Sequence, residues 1–245
     1  MDIEFVLFKN IKLKNPIIIQ GFPGAGLVGT MSSLYLVEKL NMELVGYIQS
    51  SKFPPIAAIH RGKPHFPARI YASKKHNLII ILSEFVIPTH FIFYLAEQIY
   101  LLAKKLKAKK IISLGSILKK EEEQIADKIY AVVSTSNLAK ELEKNNIHVI
   151  KEGVTTGVSS FLLSKGAIDN FEVISLLSNS SNSSLDLMAC YNLLSKLKNY
   201  LDLDIDLKDL ELDAKKMEEQ MEKIAQKIQN EQMVADKDRE PSMYQ

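Results

Sequence analysis

Cysteine is nearly absent: Cys190 is the single one in 245 residues. One thiol can neither close an intrachain disulfide nor build a cysteine-rich zinc site, which suits a reducing interior. Its setting in the run Leu187-Met188-Ala189-Cys190 points to a small buried hydrophobe, not a nucleophile. An excess of either charge is also missing. The 31 basic and 29 acidic residues leave a net charge of +2, which removes any global electrostatic basis for a nucleic-acid or membrane-surface partner. No apolar run approaches the roughly 18–20 residues that span a bilayer. The start, with Asp2 and Glu4, lacks the basic segment, apolar stretch and small-residue cleavage site of a secretory signal. A cytoplasmic location is therefore expected, and the formal glycosylation acceptors at Asn179 and Asn182 read as plain loop. No histidine pair has metal-binding spacing on a helical segment, so no metal is expected.

What the chain does have is apolar material, 47% of its residues, enough for one large core. Short, β-branched apolar runs recur at 16–20, 43–50, 56–60, 78–82, 110–113, 129–133, 147–150 and 172–177. Several, such as Leu78-Ile79-Ile80-Ile81-Leu82, are apolar at every position, as strands covered on both faces are. Helical patterns at 26–40, 89–107, 137–145 and 185–200 lie between them, with Thr89 and Asn137 as N-cap candidates. The alternation predicts an α/β fold with a mostly parallel sheet flanked by helices, spanning 1–206.

Beyond this the texture changes. Leu210, Ala214, Met217, Met221, Ile224 and Ile228 are spaced 4, 3, 4, 3 and 4 apart among Glu, Lys and Gln, which predicts an amphipathic C-terminal helix over 207–230 with one narrow seam. The seam either packs back on the domain or pairs with a copy of itself. Residues 231–245 are polar and charged, with Pro241 ending any remaining helix, and read as a flexible tail.

The loudest local signal is Gly21-Phe22-Pro23-Gly24-Ala25-Gly26-Leu27-Val28-Gly29, after a predicted strand and opening a predicted helix. Gly24, Gly26 and Gly29 match the G-x-G-x-x-G spacing that lets a pyrophosphate approach backbone amides. The acid that should hold the ribose is replaced by Gln49-Ser50-Ser51, and Pro23 removes a donor from the loop. A tight turn with close helix packing is the leading reading, and an anion site the alternative. No Lys-Ser or Lys-Thr pair follows, so a nucleotide-triphosphate loop is absent. Gly115-Ser116 lacks the second half of a nucleophile elbow. Ser83-Glu84 has no histidine assigned to it by sequence, His90 being nearest. His60, Arg61, His65 and Arg69, interleaved with Pro64 and Pro67, read as an ordered surface loop or subunit contact ahead of an anion or nucleic-acid patch. Met243-Tyr244-Gln245 at the end of the tail offers an aliphatic group, a ring with a hydroxyl and a carboxylate, a small anchor in physical terms, although on these three residues alone the plain reading is a disordered end with no role.

These pieces together resemble the proteasome-assembly-chaperone family in its archaeal single-chain form. The likeness rests on the glycine loop, on Ser51-Lys52-Phe53-Pro54-Pro55, on Gly153-Val154-Thr155-Thr156-Gly157 followed by Phe161-Leu162-Leu163, and on Leu185-Asp186 before Leu203-Asp204-Ile205-Asp206. It covers about residues 1–230. The resemblance implies a phosphorylase-like or hydrolase-like α/β domain acting as a chaperone or adaptor, not as an enzyme, and needing no cofactor. This chain departs from it at Ser178-Asn179, where many relatives carry an acid. The resemblance also implies that Met243, Tyr244 and Gln245, fitting a hydrophobic–tyrosine–any ending, enter pockets between α-subunits of the proteasome core particle. Weak single tips would gain avidity in a homo-oligomer, with the seam 210–228 aiming the tails. An enzyme of phosphorylase or hydrolase type using the glycine loop for an anion stands as the alternative.

Overall fold

The computed structural model describes residues 3–60, 62–118, 128–180 and 185–217. In chain order the strands are β1 (Glu4–Leu7), β2 (Ile17–Gly21), β3 (Glu43–Gln49), β4 (Ala58–His60), β5 (Lys63–His65), β6 (Ala68–Ser73), β7 (Leu78–Ser83), β8 (Lys110–Leu118), β9 (Ile129–Val133), β10 (His148–Val149) and β11 (Val173–Ser180). The helices are α1 (Val28–Lys39), α2 (Ile92–Lys105), α3 (Ser136–Lys144), α4 (Val158–Ile168) and α5 (Leu187–Leu201), followed by a sixth, α6, over 208–217.

Nine strands form one sheet in the order β1-β3-β6-β7-β2-β8-β11-β9-β10, and β4 and β5 pair as a separate hairpin. The four central strands β7, β2, β8 and β11 run parallel. On one flank β1, β3, β6 and β7 pair antiparallel, and on the other β9 is antiparallel to β11. The sheet is thus mixed, with a parallel block in the middle, where helical crossovers cover both faces, and a short parallel pair of β9 and β10 at one edge. All residues of β7 are buried, which is what its unbroken apolar run predicts.

Two apolar cores follow from the alternation of side chains along each strand. Ile19, Leu82, Ile112 and Ile174 point to one face, which α1, α3, α5 and the segment Leu203 to Leu210 cover. Ile18, Ile81, Ile111 and Val173 point to the other, covered by α2 and α4. The C-terminal strap is tied to this body by polar contacts as well. Tyr35 donates to the Asp206 carbonyl over 3.1 Å, Lys39 reaches Asp209 at 2.7 Å, and Lys198 donates to the Ile205 carbonyl at 2.6 Å.

Every strand and helix predicted within 1–206 coincides with an observed one, though the ends differ; of the helix predicted over 207–230, residues 218–230 lie outside the described residues. Helix α1 starts at Val28 after a short 3-10 turn in which Gly26 (φ 61°) and Leu27 (φ 52°) are left-handed. Neither Thr89 nor Asn137 caps a helix by its side chain. Strand β11 runs on through Asn179 and Ser180, which the sequence reading leaves to a loop, because they continue the ladder opposite Ile117 and Leu118 of β8. Strand β6 and helix α4, like the short β1 and β5, have no predicted counterpart. The first carries a charged Arg69 between two buried neighbours, and the second is apolar around much of its circumference.

Candidate functional site

The parallel strands β2, β8 and β11 end at a cavity of about 600 Å³, at the carboxyl edge where α/β sheets place their ligand sites. Its floor is a row across the sheet. Gln20 is the register partner of Ser113, and Ser113 of Ser175. All three are buried and share the face covered by α2 and α4, since they alternate with Ile19, Ile112 and Ile174 of the opposite core. The walls come from Phe22 to Ala25, from the segment after β7, and from the loop Ile150 to Gly157 that leads into α4. Gly157 (φ 80°) permits the entry into that helix.

The glycine loop is the wall whose local cause is clearest. A Cβ at Gly21 would lie 2.1 Å from the Gly29 carbonyl oxygen, and one at Gly29 would lie 2.4 Å from that of Leu114. At Gly26 it would meet Ser180 Oγ at 2.4 Å and Asp186 Cβ at 2.8 Å. These three glycines are explained by close packing of strand, turn and helix, the leading reading of the motif. Ser116 fixes the loop from below, donating to the Ala25 carbonyl over 2.6 Å. Asp186 fixes it from the side: its amide donates to the Gly26 carbonyl at 3.0 Å, and its carboxylate accepts from Ser180 Oγ and from the Ala189 amide, capping α5. An acid packed against the turn that opens α1 disfavours an anion there. Gly24 is different, with an extended backbone and no atom within 4 Å of a built Cβ.

The basic stretch of the sequence resolves into an ion-paired cluster at the far end of β6. Arg69, 1% exposed, pairs with Glu84 and donates to the Phe66 carbonyl at 3.3 Å. His60 Nε2 lies 2.9 Å from both Glu84 carboxylate oxygens. Burial first, then the charges of Arg69 and His60, hold His65 below the ordinary imidazole value. With Arg69 neutralised by Glu84, the cluster is a structural tie in an ordered loop, as the leading reading has it; Arg61 lies outside the described residues. Sequence reasoning did not find this partnership, because Glu84, just past the end of β7, is brought beside Arg69 only by the antiparallel pairing of β6 and β7.

The nucleophile candidates are otherwise engaged. Ser83 is buried, donates to the Phe85 carbonyl at 2.8 Å and accepts from the Phe85 amide. His90 stacks at a tilt on Phe91, 4.2 Å between ring centres. Cys190 is 1% exposed and burial pushes its thiol up to about 12, so it is the small hydrophobe its setting predicts. Among the described residues no group of three or more His, Cys, Asp or Glu is arranged to hold a metal ion, and no helix is long and apolar enough to cross a membrane.

Of the seam, Leu210 and Ala214 are buried within this chain, at 7% and 1% exposure, and Met217 is half-buried. Met221, Ile224, Ile228, Met243, Tyr244 and Gln245 lie outside the described residues.

Comparison with known proteins gives this arrangement its kin. The crystal structure of PbaA from Pyrococcus furiosus, described as an archaeal homolog of proteasome-assembly chaperone, matches with a TM-score of 0.83 at 27% identity over 99% of each chain. PbaB of the same organism, described as an archaeal proteasome activator, matches with a TM-score of 0.79 at 25% identity over 91% of this chain and 98% of that one. An uncharacterized protein of Methanocaldococcus jannaschii is 30% identical over 208 residues, covering 85% of this chain and 84% of the relative. The model of the PAC2 family matches residues 18–225, and with so much of the sequence and of both cores inside that match, this chain belongs to the PAC2 family.

Proposed function

We propose that this protein is a cytoplasmic, proteasome-binding assembly chaperone or adaptor that docks its C-terminal tails on the α-ring of the core particle. The observation that carries the reading is the full-length likeness to an archaeal homolog of proteasome-assembly chaperone, together with that to an archaeal proteasome activator, in a chain whose sequence closes on Met243-Tyr244-Gln245. Met243 supplies an aliphatic anchor, Tyr244 a ring with a hydroxyl, and Gln245 the carboxylate for a lysine or for backbone amides of the α-subunits.

Three residues bury little surface, and ordering the segment that carries them costs entropy, so one tip binds weakly. A homo-oligomer corrects this by presenting several tips at once, raising avidity roughly 10²- to 10⁴-fold where their spacing matches the ring. Self-association through the seam beyond Ala214 provides such an assembly, because Leu210 and Ala214 are already occupied by this chain's own core. The engaged Ser83, the inert Cys190 and the acid beside the glycine turn favour binding over catalysis.

The deciding experiment is recovery of archaeal core particle by the full chain and by a chain ending at Ser242. Loss of recovery on truncation supports the anchor. Equal recovery by both refutes it.

A further inference from the structure

The cavity at the carboxyl ends of β2, β8 and β11 has no part in docking a tail, yet its floor has the marks of a ligand site. Gln20 Oε1 and Ser113 Oγ are fully buried, and neither has a hydrogen-bond partner among the described residues. Gln20 is 4% and Ser113 2% exposed. They stand side by side on adjoining strands and both line the cavity. Burying such groups unpaired is costly, and folded proteins rarely do it without a compensating occupant. Whatever fills the cavity must provide the bonds.

The surroundings narrow the chemistry. Lys151 and Glu152 are the only ionisable side chains among the described lining residues, and both stand exposed on the outer loop with opposite charges. Among the described residues no cation lines the floor to hold a phosphate or carboxylate. Phe22, Ile92, Val132 and Leu177 supply apolar wall, suited to a flat or aliphatic body. An acceptor at Gln20 Oε1 asks for an N–H or O–H from the ligand. The first turn of α4, which also lines the cavity, presents backbone N–H groups that ask for an oxygen. A carboxamide or lactam carries both functions on one edge, whereas a carboxylate has nothing to donate to Gln20.

Gly24 adds a separate observation. The other glycines of its loop are forced by packing, but a side chain at 24 would meet nothing within 4 Å, and the backbone there is ordinary extended chain. Gly24 also lines the cavity, so bare backbone is offered there, as where a ligand approaches backbone closely.

We propose that this cavity is a binding site for a neutral small molecule bearing a carboxamide or lactam edge on an apolar body, held by Gln20 and Ser113. The site is independent of the docking tail.

Ligand-observed saturation-transfer NMR on the full-length protein tests it, with nicotinamide, uracil, nicotinate and N-acetyl-alaninamide as probes at millimolar concentration. Nicotinamide, uracil or both should bind. Binding should weaken roughly tenfold or more in Gln20→Leu, which removes a hydrogen bond, and weaken in Gly24→Val, which adds a branched side chain at the cavity's lining in a backbone that accepts it. Thermal melting of both variants within a few degrees of the parent establishes that the fold is intact, and Ser113→Ala serves as a third, milder variant if Gln20→Leu fails to fold. Binding of neither nicotinamide nor uracil overturns the proposal, as does nicotinate binding as well as nicotinamide. Binding of N-acetyl-alaninamide alone transfers the site to peptide ligands and likewise overturns it.

Discussion

The amide of Asp186 donates to the carbonyl of Gly26 across 3.0 Å, tying the turn before α1 to the start of α5 although 160 residues separate them in sequence. Gly26 is left-handed, and its missing Cβ is what lets Ser180 and Asp186 approach. A Gly26→Ala substitution therefore combines backbone strain with a steric clash and should cost about 1–3 kcal/mol of stability. Gly24→Ala, a motif neighbour with an open environment, should stay within about 0.5 kcal/mol of the parent. Urea denaturation of the two variants separates packing glycines from the open one, and equal losses at 24 and 26 would contradict the distinction.

Arg69 and Glu84 form the second long-range tie, and Arg69 is the largest side chain fully buried in the molecule's described part. Removing one partner of a buried pair strands the other charge, at a cost of about 3–5 kcal/mol. Glu84 retains 20% exposure, so Arg69→Met should fall near the lower end of that range and Glu84→Gln near or above it, because the latter leaves the deeper charge unpaired. Chemical denaturation checks both. A change below about 1 kcal/mol for either would show the pair to be dispensable, as at an exposed site.

How much of this was readable beforehand depends on the range of the interaction involved. The strand runs and helical periods are local, and each one predicted within 1–206 has its observed element. Helix α4 was missed because Val158, Leu162, Leu163 and Gly166 are buried among further apolar residues, so no polar face marks the period. Strand β6 was missed because its buried arginine imitates a surface residue until Glu84 is seen beside it. The floor of the cavity was equally illegible: Gln20, Ser113 and Ser175 belong to three strands whose adjacency only the sheet order creates. The glycine loop could be found by its spacing, but which of its glycines pack and which face open space depends on Leu114, Ser180 and Asp186, all distant in sequence.

The histidines give the fold a signed pH response. Burial, with the charges of Arg69 and His60, lowers the proton affinity of His65, and burial with Lys75 lowers that of His76. The unfolded chain therefore takes up protons at higher pH than the folded one does. Stability should fall as pH drops below the unfolded imidazole value of about 6.5, until the folded-state values are passed. Above about pH 7.5 neither residue contributes a slope. Urea midpoints measured across this window should decline toward acid, and less so in a His76→Asn variant. A midpoint rising toward acid would reverse the assignment.

Cys190 offers a direct probe of the core around α1 and α5. Its thiol is buried, contacts the Val28 carbonyl at 3.9 Å, and burial pushes its pKa up to about 12. Thiolate is the reactive form, so alkylation at neutral pH should be governed by opening of the structure, not by intrinsic chemistry. Iodoacetamide labelling followed by mass spectrometry should show slow modification in buffer and complete modification in denaturant. Rapid labelling under native conditions would mean that α5 does not hold the thiol against α1.

The seam at the C-terminus divides by what its residues already touch. Leu210 joins the core that includes Leu203, Ile205 and Leu207, and Ala214 is 1% exposed. A charge at either is therefore a core substitution, and Leu210→Asp should destabilise the fold by about 2–5 kcal/mol at any protein concentration. Met221 and Ile224 continue the same spacing, and if the proposed assembly uses them, Met221→Asp with Ile224→Asp should lower the mass seen by light scattering while leaving the thermal stability of the domain near that of the parent. The two outcomes must differ for the division to hold. Should the double variant keep the parent's mass, the tails would be gathered by another surface, and the helix beyond Ala214 would lose its proposed role in aiming them.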